Sequence, residues 1–74
     1  MTKVRNKKLL ENFGMHLKNL RLEKSLSQED LANDADIPIN QIGRIERGEI
    51  NPSLSTLYAI ATALSLKLHE LVKF

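Results

Sequence analysis

The sequence of 74 residues contains no cysteine, which excludes disulfide staples and thiolate metal sites. It also lacks long apolar runs and has nothing near the roughly 20 residues that a membrane helix needs. The opening MTKVRNKKLL is basic, with neither an apolar h-region nor a small-residue cleavage site, so it does not read as a signal peptide. Strand signals, internal repeats, low-complexity tracts and linkers are missing too. The two histidines, His16 and His69, have no Ser/His/Asp set, metal-ligand spacing or phosphate-binding glycine loop around them. Catalysis, metals, cofactors, small-molecule ligands and membranes are therefore not expected. What remains is one small cytoplasmic domain. Its core must be modest, and small domains without disulfides or metals often gain stability by associating, so a homodimer is expected.

Charge of one sign is scarce overall, with eleven basic against nine acidic side chains and a net charge of +2. Its distribution says more than its sum. Residues 1–24 carry seven basic and two acidic side chains, whereas residues 25–48 carry two basic and five acidic. A basic first third can reach phosphates, or it can be a solvated helix face behind a flexible arm over residues 1–8.

From about Leu9 the apolar residues fall at helical steps. Leu10, Phe13, Leu17 and Leu20 share one face of a first helix ending near Glu23, and Gly14 within it suggests close approach of another backbone. Ser27 with Asp30 three residues on approximates a capping box. The second helix that follows has a narrow apolar face of Leu31, Ala32 and Ala35. Pro38 marks a break and the start of a third helix, which Gly48 closes as a left-handed residue. Asn51-Pro52 is a turn, and Ser53 or Ser55 caps a fourth helix expected to bury Leu54, Leu57, Ile60, Ala61 and Leu64. A short fifth segment, Leu66 to Phe74, completes an all-α reading of five helices.

In the third helix Ile42 and Ile45 share one face, while Asn40, Gln41 and Arg44 lie on the others. Amide and guanidinium side chains near the start of an exposed helix suit major-groove recognition, Asn or Gln for adenine and Arg for guanine. A merely solvated polar face has the same pattern.

The motifs then become specific. Leu26-Ser-Gln-x-x-Leu31-Ala32, Ile42-x-Arg44-Ile45-Glu46-x-Gly48, Asn51-Pro52-Ser53 and Leu57-x-x-Ile60-Ala61-x-Ala63-Leu64 occur in that order. Together with Phe13-Gly14 and Leu17-x-x-Leu20-Arg21 they resemble the phage repressor/Cro-type (XRE) helix-turn-helix family over residues 10 to 72. The resemblance implies a compact five-helix lambda-repressor-like domain over residues 9–74, with the helix-turn-helix at about 27–48. It further implies a sequence-specific transcription regulator that binds double-stranded DNA. By matching position, Ile39, Asn40 and Arg44 are expected at bases, and Gln28, Arg47 and Ser53 at phosphates. Gln41, on the exposed face of the third helix, joins the first set, and Lys18, flanking the apolar stripe of the first helix, joins the second. Arg21 and Glu46 match a structural ion pair of the family.

Three positions depart from the family pattern. Asp36 stands where the turn usually has glycine, and Pro38 replaces a Ser or Thr. Gly43 lies inside the recognition helix, where glycine costs roughly 1 kcal/mol relative to alanine. Either a backbone or a sugar approaches Gly43 closely, or the helix orders fully only on DNA. Ile39 offers only apolar contact, to a thymine methyl or to the turn.

One such helix reads few base pairs, so domains of this kind act as two-fold dimers on inverted repeats. Leu66, His69, Val72 and Phe74 are the expected dimer residues, with Leu66, Leu68 and Leu71 also needed by the core. The chain ends almost where the motif ends, as in the controller proteins of restriction–modification systems, compact phage repressors and some antitoxins. An autoregulatory repressor or controller is the leading expectation. An antitoxin, or an interaction module that has lost DNA binding, is the alternative.

Overall fold

Asn6 starts the first helix by accepting a hydrogen bond from the Leu9 N–H at 2.9 Å. In the computed structural model, which describes residues 5–74, α1 therefore runs Lys7–Glu23 rather than beginning at Leu9. Residues 1–4 of the expected basic arm lie outside the described residues. The other helices are α2 (Gln28–Ala35), α3 (Ile39–Glu46), α4 (Leu54–Ala63) and α5 (Leu68–Leu71). No strand occurs among the described residues, so the all-α, five-helix expectation holds.

Local chemistry explains most boundaries. Ser27 and Asp30 form a complete capping box, each side chain bonded to the other's backbone N–H at 2.9 Å. These bonds hold the Asp30 carboxyl below the usual carboxylate range, the backbone N–H of Ser27 being the main cause. Ser53 caps α4 through the Thr56 N–H. Four helices end in the same way, on a left-handed residue followed by a reversed backbone bond: Ser25, Asp36, Gly48 and Ser65, with φ between 58° and 73°. Only one of the four is glycine. At Asp36 φ is 58° and ψ 47°, so aspartate does fill the left-handed turn between α2 and α3.

Leu17, Leu31, Ile42, Ile45, Ile60, Leu64 and Leu71 are the fully buried centre, drawn from all five helices. The small face of α2, with Ala32 and Ala35 buried beside Leu31, lets both α3 and α4 pack on it. Gly14 is where α1 meets the end of α3. A Cβ there would lie 2.6 Å from the Ile45 carbonyl oxygen and closer still to that of Glu46. The close backbone approach expected at Gly14 is thus present.

Two expectations need correcting. Leu54 is not part of the buried face of α4 but is 68% exposed, because as the first helical residue it overhangs the core. Leu66 belongs to the closure of α4, its N–H bonded to Ala61 O at 2.8 Å, and not to the last helix, which starts at Leu68.

Candidate nucleic-acid interface

Alpha-3 is held rigidly from behind. Ile42 and Ile45 are buried in the core, and Pro38, with its fixed φ of −56°, sets the entry to the helix. At the other end Arg21 and Glu46 meet in a two-point bond, Nε to Oε2 at 2.7 Å and Nη2 to Oε1 at 3.1 Å. Both are buried, at 6% and 9% exposure. Arg21 Nη1 also donates to the Leu26 carbonyl at 2.8 Å, and Gln28 Nε2 donates to Glu46 Oε1 at 3.0 Å. Donating to the Glu46 carboxylate raises the pKa of the Arg21 guanidinium further. This network joins α1, the turn before α2, the start of α2 and the end of α3.

The opposite side of α3 faces solvent. Ile39 is 50% exposed, whereas Ile37 is partly buried against the core. Asn40 and Arg44 are exposed and Gln41 is half-buried. A single helix with such side chains turned to solvent is what the major groove of B-form DNA admits.

The residues expected at phosphates are less free than their sequence positions suggest. Gln28 has committed one amide proton to Glu46. Ser53 Oγ caps Thr56 N–H and also donates to Thr56 Oγ1 at 3.0 Å, so its hydroxyl proton is used within α4. Lys18 is exposed on α1. Arg47 Nε lies 2.6 Å from Glu49 Oε2, and its Nη2 3.4 Å from Oε1. That pairing raises the Arg47 pKa and lowers that of Glu49.

Glu49 was the residue that sequence reasoning missed. It also lies 3.7 Å from Arg44 Nε, and its carbonyl accepts from Arg5 Nη2 at 2.9 Å. A carboxylate just past the closing glycine, near two arginines three residues apart, was the available signal. Among the described residues, no backbone from outside the helix approaches Gly43. Side chains and not a backbone come near it, Arg47 Nη1 at 3.0 Å and Gln28 Oε1 at 3.5 Å from where a Cβ would stand.

At the far end of the chain, Val72 (44% exposed) and Phe74 (54% exposed) line a shallow apolar groove with Leu9, Pro52 and Leu57. Phe74 folds back on α1, edge-on to Phe13 at 5.5 Å and stacked on His16 at 5.4 Å. His69 is exposed, while Leu66 packs against the core and is only partly available to a partner. No helix among the described residues is long and apolar enough to cross a membrane.

The family model for the helix-turn-helix domain HTH_3 matches residues 17–71. The immunity repressor protein of Bacillus phage phi105 is 41% identical over 59 residues, which is 80% of this chain and 41% of the repressor. The control protein C.BamHI of Bacillus amyloliquefaciens is 40% identical over 63 residues, 84% of this chain and 78% of that protein. Among solved structures, the restriction–modification controller protein C.AhdI from Aeromonas hydrophila superposes with a TM-score of 0.82 at 39% identity. That match covers 89% of this chain and 98% of C.AhdI. The chain thus spans well under half the length of the phage repressor and nearly all of the controller.

Proposed function

This chain belongs to the HTH_3 helix-turn-helix family of transcription regulators, and from that premise we propose that it binds a specific operator in double-stranded DNA as a homodimer. Alpha-3 enters the major groove. Asn40, Gln41 and Arg44 read base edges there, and Ile39 meets a thymine methyl. Lys18, the second amide proton of Gln28, the Arg47 nitrogens that Glu49 leaves, and the backbone N–H groups behind Ser53 meet phosphates and set the register. The carrying observation is that one face of α3 is fixed by the core and the Arg21–Glu46–Gln28 network while the other is solvent-facing and rich in hydrogen-bonding side chains.

The likeness to controller proteins and to a phage repressor supports a cytoplasmic, autoregulatory role on an inverted repeat. Its groove at Val72 and Phe74 is the surface we assign to the second copy, and the exposed His69 and the part of Leu66 that the core leaves uncovered are assigned to the same interface. The acidic excess of residues 25–48 does not favour a pure interaction module. Glu29 and Asp30 serve the start of α2, Asp36 its turn, and Glu46 the buried ion pair.

Selection from a random duplex pool by the purified chain tests this. A two-fold symmetric motif with half-sites about 10 base pairs apart is the expected product. Its affinity falls steeply with salt, and Arg44→Ala costs about 1–3 kcal/mol while relaxing one base position per half-site. Recovery of no motif, or binding indifferent to salt, removes the reading.

A further inference from the structure

Three of the four helices that close on a left-handed residue follow it with an apolar side chain packed on the core: Leu26, Ile37 and Leu66. After Gly48, α3 has Glu49 in that place. The backbone fixes it there. The Glu49 N–H donates to the Arg44 carbonyl at 2.9 Å, and Arg5 Nη2 holds the Glu49 carbonyl at 2.9 Å. The carboxylate is left between two guanidinium groups. It grips Arg47 by Nε at 2.6 Å and lies 3.7 Å from Arg44 Nε. On its other side Arg47 lies over Gly43, where a Cβ would come within 3.0 Å of Nη1. The bare backbone of Gly43 leaves room for that guanidinium.

We propose that Glu49 is a positioning residue for base readout. Braced by Arg47 on Gly43, its carboxylate draws Arg44 towards it by charge, from 3.7 Å on the Nε side, and leaves the two terminal nitrogens of Arg44 for a guanine edge. The proposal rests on the DNA-binding reading above. An unrestrained surface arginine samples many rotamers, and ordering it on DNA weakens binding; ordering it beforehand removes that loss. An attraction on the Nε side leaves the terminal fork free for the O6 and N7 acceptors of guanine. Mere charge makes the opposite demand. A carboxylate near DNA repels phosphates, so a residue acting only through its charge weakens binding to every sequence alike.

The two roles differ in sign under Glu49→Gln, measured by anisotropy on the selected duplex and on a scrambled one. A positioning role predicts scrambled DNA bound about 2–5-fold tighter, through the lost repulsion. The selected duplex is bound about 5–10-fold more weakly, through the disordered arginine. Gly43→Ala displaces Arg47 and lowers selected-site affinity in the same way with no loss of thermal stability. Adding Glu49→Gln to Arg44→Ala causes no further loss on the selected duplex, since the two act through one contact. Glu23→Gln, which removes the same charge at the last residue of α1, leaves discrimination unchanged. Equal tightening of both duplexes by Glu49→Gln, or an undiminished loss in the Arg44→Ala background, overturns the proposal and leaves DNA binding standing. A wild-type chain that discriminates between no duplexes overturns both.

Discussion

Removing the Glu46 carboxylate is the sharpest test of how the recognition helix is held. Glu46→Ala deletes the acceptor of three hydrogen bonds, two from Arg21 and one from Gln28. It leaves a guanidinium that is 6% exposed with only the Leu26 carbonyl as partner. Breaking a buried ion pair from one side costs about 3–5 kcal/mol, since the remaining charge stays desolvated. A domain of this length has roughly 4–11 kcal/mol of stability in total. At about 4–8 °C per kcal/mol, the melting temperature should fall by at least about 12 °C. Replacing both partners, as Arg21→Met with Glu46→Leu, should recover much of that loss because no charge is stranded. The assay is thermal unfolding by circular dichroism, followed by DNA selection at a temperature where Glu46→Ala is still folded. Base preference should then match the wild type. A melting temperature within about 2 °C of the wild type would refute the reasoning, given the scale just used. So would a double variant no more stable than the single one.

Other substitutions follow from backbone geometry and charge. Gly14→Ala should lower stability by about 1–3 kcal/mol or more in chemical denaturation, because its methyl group meets the carbonyls of Ile45 and Glu46. Asp36→Gly should raise the melting temperature, with up to about 1 kcal/mol gained at a residue with φ of 58°; a fall would show that Asp36 makes a favourable contact. Asp30 sets a pH dependence. Its folded pKa is depressed, so its contribution is present above the ordinary aspartate value of about 3.9 and lost as pH falls through the folded value. Asp30→Asn should flatten the stability profile in that acid range and leave the fully protonated end unchanged.

Much of the fold was legible because it depends on neighbours in sequence. The face of Leu10, Phe13 and Leu17, the Ser27–Asp30 box and the left-handed Gly48 are set within one or two helical turns. Leu54 was misread because helical spacing gives an angle around the axis but not whether the core extends that far along it. The candidate interface was read more by resemblance than by physics, since Asn40 and Arg44 look the same on any wet helix. Glu49 was overlooked because its relation to Arg44 and Arg47 depends on how the chain turns after Gly48.

The sequence by itself determined five helices, the Ser27 cap, most of the buried faces and the family of the chain, since periodicity and capping are short-range and the motifs keep their order. Tertiary structure alone decided which side chains are spoken for. It placed Arg21 against Glu46, 25 residues apart, laid Arg47 over Gly43, and turned Phe74 back onto His16. Those pairings follow from where whole helices cross, at contacts such as Gly14 against the end of α3, and a crossing is a property of the packed core that no local window contains.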